Sequence, residues 1–182
     1  MIGEWKTLER KPPEDHRIFK IQTRIVQSPR TGTAMEVKTI SIRDWAMVLP
    51  LTAEGEVVMV RQYRHGIETV CLELPGGLID PGDASPEAAA KRELMEETGY
   101  EAREYILLGS CFPHPAVLKN RGFFVLASNA RPTCEPQPDD GEDIEVVRFA
   151  LHEIPGLIHN GCISNGMVQL AFYRYFMNHR KF

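Results

Sequence analysis

No CxxC pair occurs in this sequence; its four cysteines, Cys71, Cys111, Cys134 and Cys162, stand far apart. That spacing offers neither a zinc framework nor the dense bridging of a small secreted domain. Reduced thiols in a cytoplasmic protein are expected, each cysteine acting as a small buried hydrophobe. Long apolar runs are missing too. No stretch nears the roughly 20 apolar residues that a membrane span requires. The opening "MIGEWKTLERKPPEDHR" lacks the apolar core of a leader. A cytosolic location without membrane contact is therefore expected. Basic runs are absent as well: 21 Lys and Arg face 25 Asp and Glu, for a net charge of −4. A broad nucleic-acid footprint is excluded on that balance.

What remains is a chain of 182 residues, 43% apolar and 25% charged, enough for one domain with a real core and a small extension. "IFKIQTRIVQS" and "TAMEVKTISIRDW", separated by the turn "PRTG", read as two extended runs. They predict a small antiparallel sheet ahead of the main domain, over residues 1–44. "AMVLPLTAEGEVVMVRQYR" predicts a hairpin with a deeply buried arm, and "VCLELPGG" a short strand ending at Pro75, Gly76 and Gly77. In "SPEAAAKRELMEETG", Ser85 suits an N-cap, Pro86 the first helical position and Gly99 the stop. Strands follow at "YILLGSCF", "GFFVLASN" and "IEVVRFAL", with Trp45 expected in the core. "RPTCEPQPDDGED" reads as a mobile acidic loop, and the tail as a closing amphipathic helix from near Ser164. The order predicts an α+β chain or a layered α/β/α arrangement.

The helix carries the chemistry. Residues advance by about 100° each, so Glu93, Glu96 and Glu97 share a stripe less than about 120° wide. A solvated acidic face is the usual fate of such a run. Here, however, like charges repel at i,i+4 and acids in the last turns oppose the helix dipole. A hard divalent cation bound between the carboxylates compensates both, and Arg92 offers a fixed cation to orient one of them.

"GGLIDPGDASPEAAAKRELMEETGY" resembles the Nudix box, G-x5-E-x7-R-E-U-x-E-E-x-G-U with U apolar or aromatic. Gly77, Arg92, Glu93, Leu94, Glu96, Glu97, Gly99 and Tyr100 match it. Asp83 stands where the first glutamate belongs, and eight residues rather than seven separate it from Arg92. The resemblance implies an α/β/α sandwich of Nudix type over residues 45–182, with residues 1–44 as an antiparallel extension that helps form a homodimer.

Nudix proteins typically hydrolyse a nucleoside diphosphate linked to another moiety. The resemblance implies Mg²⁺, with Mn²⁺ as a substitute, held by Glu93, Glu96, Glu97, the carbonyl of Gly76 and Glu142. Flanking features resemble the branch acting on ADP-ribose and nucleotide sugars. In "VRQYRHG", Arg64 is the candidate phosphate or ribose contact and Arg61 a second. Glu73, Leu78 and Pro115 complete the candidate substrate-binding set. The acidic loop "DDGEDIEV" resembles one that supplies a further metal ligand or the catalytic base, Glu142 first and Asp140 second, beside Glu93 and Glu97. Each has a plainer reading: Arg61 and Arg64 as surface charges, Pro115 as a loop stiffener, the acidic loop as solvent-facing. The expected reaction is Mg²⁺-dependent cleavage of the pyrophosphate of ADP-ribose or a related nucleotide sugar to a nucleoside monophosphate and a sugar phosphate. GDP-mannose, NADH or a diadenosine polyphosphate stand as alternative substrates, and non-catalytic nucleotide sensing as an alternative role.

Overall fold

A computed structural model describes residues 2–138 and 141–179. Contacts within the chain divide it into two units, residues 1–43 with 112–121, and residues 44–111 with 122–182.

In the first unit, β1 (Lys6–Arg10), β2 (Glu14–Asp15), β3 (Lys20–Gln27) and β4 (Ala34–Ser41) form one antiparallel sheet around β3. The expected hairpin is β3–β4, in full register from Lys20 opposite Ser41 to Gln27 opposite Ala34. Residues 112–121 belong to this unit as well. The Ile40 N–H donates to the Val117 carbonyl at 2.7 Å, and Ile40 forms a parallel bridge with Leu118. Pro115 therefore belongs with the first unit.

The second unit is a mixed sheet with helices on both faces. Its strands are β5 (Trp45–Thr52), β6 (Glu56–Arg64), β7 (Thr69–Glu73), β8 (Gly76–Leu78), β9 (Tyr100–Glu101), β10 (Glu104–Cys111), β11 (Gly122–Pro132) and β12 (Ile144–Ala150). The main path runs β10-β11-β5-β6-β12, and β5 and β11 are parallel. A parallel pair is covered on both faces, which explains the unbroken apolar runs of these two strands. On β5, Ala46 and Val48 pack against α1 (Pro86–Thr98) with Ala89, Ala90 and Leu94. Met47 and Leu49 point the opposite way, into a core with Val168, Ala171 and Phe172 of α3 (Gly166–His179). The period-two alternation of β5 thus separates the two cores. Trp45 lies against the second, its ring edge-on to Phe124. No helix among the described residues is long and apolar enough to cross a membrane.

Three details depart from expectation. A short helix α2 (Ile154–His159), which the sequence reading omits, anchors through the fully buried Ile154. Cys134 and Cys162 are exposed, because each sits in a connection outside the strands and helices; Cys71 is buried. The acidic loop, expected to be mobile, is docked over its first half. The Thr133 N–H donates to the Gly99 carbonyl (2.8 Å) and the Gln137 N–H to the Glu96 carbonyl (2.7 Å). Carbonyls at a helix end lack internal partners, and this loop supplies them.

Candidate active site

Helix α1 begins as its residues dictate. Ser85 Oγ accepts the Ala88 N–H (3.2 Å), a cap that contributes about 1 kcal/mol. Gly99 closes the helix at φ 70°, donating its N–H to the Met95 carbonyl at 2.8 Å. Between these caps the helix lies along β5 and β8, which orients its glutamate stripe toward the glycine turn that follows β7.

Two glycines make that approach possible. Gly76 has φ 157°, and a Cβ on it would overlap the Ala46 carbonyl oxygen of β5. A Cβ on Gly77 would overlap the Glu93 carboxylate. Glu97 accepts the Gly76 N–H on Oε2 at 3.0 Å and is only 3% exposed. Burial, aided by the nearby charges of Glu93 and Glu142, pushes its carboxyl up to about 8, against the pull of the Gly76 N–H. Glu93 is pushed up to about 7, chiefly by burial and then by Glu96 and Glu142, with Arg92 pulling it down. Two desolvated carboxylates thus raise the cost of each other's charge.

Arg92 is the local counterweight. One of its nitrogens, Nη1, donates to Glu93 Oε1 (2.9 Å) and Glu96 Oε2 (2.8 Å). The other, Nη2, reaches the Leu78 carbonyl (3.1 Å) and Asp83 Oδ2 (3.0 Å), while Nε bonds Asp83 Oδ1 (3.3 Å). Asp83, which replaces the box glutamate, therefore grips the guanidinium with both oxygens. Arg92 holds the Asp83 carboxyl below the usual range.

A second network adjoins the stripe. Glu73, at the end of β7 and 1% exposed, accepts Arg64 Nε on Oε2 (3.0 Å), and Arg64 Nη2 converges on the same oxygen. Its other oxygen, Oε1, accepts Asn165 Nδ2 at 2.9 Å. Although burial works against the Arg64 charge, Glu73 and then Glu97 more than offset it, and its pKa is raised. Arg61 does not join this group; it pairs with Glu145 of β12 at 2.9 Å. Leu78 contributes its carbonyl to Arg92 rather than a free backbone group. Glu142 is close enough to act electrostatically on Glu93 and Glu97, while Asp140 lies outside the described residues. Asn165 is the one member of this constellation that the sequence reading missed. Its signal was there as an Asn before an amphipathic run, one residue past the expected start.

Among the described residues, no three His, Cys, Asp or Glu side chains converge as a ready metal cage. Glu93 and Glu96 turn to Arg92, and Glu97 to Gly76. The donor set still fits a hard divalent cation. It offers oxygen atoms only, from two desolvated carboxylates whose mutual repulsion a dication relieves.

Residues 42–165 match the family described as NUDIX domain. The chain is 27% identical over 158 residues to an ADP-ribose pyrophosphatase of Bacillus subtilis (strain 168), spanning 86% of this chain and 84% of that one. It is 38% identical over 117 residues to an ADP-sugar pyrophosphatase of Mus musculus, covering 59% of this chain and 51% of the relative, about half its length. A crystal structure of an ADP compounds hydrolase superposes with TM-score 0.87 at 21% identity, over 100% of this chain and 99% of the other.

Proposed function

The chain belongs to the Nudix family, and on that premise we propose that it hydrolyses the pyrophosphate bond of ADP-ribose or a related nucleotide sugar. The products are a nucleoside monophosphate and a sugar phosphate. One observation carries the reading: the buried Glu97 and the part-buried Glu93 on one helix stripe, next to an arginine, Arg64, locked by Glu73. The substrate class is supported by the relatives named for ADP-ribose and ADP-sugar pyrophosphatase activity.

Glu93, Glu96, Glu97, the Gly76 carbonyl and Glu142 are the proposed ligands of Mg²⁺, with Mn²⁺ as a substitute. When bound, the dication neutralises pyrophosphate charge and makes a water more acidic. Arg64 binds a phosphate oxygen or the ribose, its fork aimed by Glu73, and Arg61 is a second, outer contact. Leu78 is a further proposed substrate contact. Glu142, or in its place Asp140, accepts the proton of the attacking water. Water oxygen bonds to one phosphorus while the bridging oxygen leaves with the other, giving two phosphate monoesters. A cytoplasmic setting is proposed for the chain, in which its four cysteines stay reduced. Residues 1–44 are the proposed homodimer element; their sheet exposes Leu8 and Met35, and the β2–β3 connection exposes Ile18.

The test is incubation with Mg²⁺ and, in turn, ADP-ribose, ADP-glucose, GDP-mannose, NADH and a diadenosine polyphosphate, with products identified by mass. ADP-ribose giving AMP and ribose 5-phosphate is the expected result. Binding without cleavage of any of the five would move the chain to the sensing class.

A further inference from the structure

Asn165 sits at the start of the closing helix α3 and uses both ends of its side-chain amide. Oδ1 accepts the Met167 N–H at 2.8 Å, which caps the helix. Nδ2 donates to Glu73 Oε1 at 2.9 Å, across 92 positions of sequence. Glu73 is 1% exposed and spends its remaining oxygen on Arg64. Capping alone requires no donor, so serine or aspartate would serve equally well for that. The second bond needs an amide.

We propose that Asn165 is a positioning residue for substrate binding: it fixes the rotamer of the buried Glu73 and thereby aims the Arg64 guanidinium. A carboxylate held at only one end can swing, and its arginine swings with it. Held at both ends, Glu73 presents Arg64 in one orientation, so a bidentate contact to an anionic oxygen is made without ordering the side chain afresh. The start of α3 thus contributes to recognition of the nucleoside diphosphate moiety, although Asn165 itself touches no substrate. The inference rests on the role proposed above for Arg64.

The test is a double-mutant cycle on the full chain with Mg²⁺ and ADP-ribose, using Asn165→Ser, Arg64→Ala and the double variant. Serine keeps a capping oxygen but cannot reach Glu73. Loss of one charge-assisted hydrogen bond corresponds to about a tenfold change. Asn165→Ser should therefore raise KM about tenfold with kcat changed less than about twofold, the signature of lost uniform binding. On the Arg64→Ala background the same substitution should leave KM unchanged. A purely structural cap would shift Tm and not KM. An unchanged KM in Asn165→Ser, or the same factor repeated on the Arg64→Ala background, overturns the assignment. Should Asn165→Ser not fold, Asn165→Gly is a tolerated N-cap that lacks the donor and adds no charge, and it carries the same expectation. No turnover of ADP-ribose by the wild type would overturn the proposed function, whereas turnover with additive KM factors overturns the role of Asn165 alone.

Discussion

Gly76 donates its backbone N–H to Glu97 Oε2 at 3.0 Å, tying the glycine turn to the most buried carboxylate of helix α1. Glutamine at position 97 can accept the same bond while carrying no charge. Glu97→Gln should therefore keep the fold and, in metal-free buffer, melt no lower than wild type. Turnover should fall by about 10²–10⁴-fold, the usual cost of losing a positioned ionisable group. Parallel melting curves and initial rates decide it. Full activity in this variant would end the assignment of Glu97 to the reaction.

Glu97 and its part-buried neighbour Glu93 give a pH signature. Burial pushes Glu97 up to about 8 and Glu93 up to about 7 in the folded chain, from an ordinary value of 4.5. Between the ordinary and the folded values, the unfolded chain has released these protons while the folded chain still holds them. The folded state binds more protons there, so its stability falls as pH rises through that window. Asp83, whose pKa is lowered by Arg92, acts in the opposite sense on the acid side of its ordinary value. It therefore does not mask the effect. Metal-free protein in EDTA should lose Tm steadily from about pH 5 to about pH 8. Added Mg²⁺ should restore most at the alkaline end, where its ligands are already deprotonated. A flat or rising Tm in EDTA across the window would contradict this account.

How much of this was legible beforehand depends on the range of each interaction. The caps of α1 were readable because Ser85, Pro86 and Gly99 act within one turn of the residues they serve. The layered fold was readable from the order of the elements, strands interrupted by the helix of the box and closed by a second helix. The stripe of Glu93, Glu96 and Glu97 followed from helical period alone. What those residues touch did not. Arg92 bridges Glu93, Glu96, Asp83 and the Leu78 carbonyl, a choice among several partners that spacing cannot rank. The bond from Asn165 to Glu73 joins segments 92 residues apart, and Arg61 chooses Glu145 on a distant strand. Docking of the Thr133–Gln137 segment was not legible either, because it satisfies the backbone carbonyls of Glu96 and Gly99 and so leaves no side-chain pattern.

Gly77 offers a test that leaves every carboxylate in place. A methyl group there would overlap the Glu93 carboxylate, the far end of a flexible side chain, so Glu93 can turn aside at small cost. Gly77→Ala should fold with nearly native Tm yet lose at least about tenfold in kcat, because its damage is a displaced group of about 1 Å. Gly76→Ala is the contrasting variant: its φ of 157° and the overlap with the Ala46 carbonyl set backbone against backbone. That strain should destabilise the fold by about 1–3 kcal/mol. Chemical denaturation separates the two cases. Equal losses of stability would argue against Gly77 as a seat for Glu93.

The proposed assembly role of residues 1–44 can be tested without deleting them. Leu8 and Met35 are 48% and 49% exposed in the first unit, and neither belongs to the buried core. Exposed positions of this kind change stability by within about 0.5 kcal/mol when substituted. An apolar homodimer interface, in contrast, cannot bury two unpaired carboxylates without a large loss of affinity. Leu8→Glu with Met35→Glu should therefore leave Tm near the wild-type value at low protein concentration while halving the mass seen by light scattering. A wild-type chain that is itself monomeric, or a double variant that remains dimeric, would remove the assembly role from this sheet. Loss of the dimer with unchanged KM would further separate assembly from catalysis, locating substrate recognition wholly within each copy of the chain.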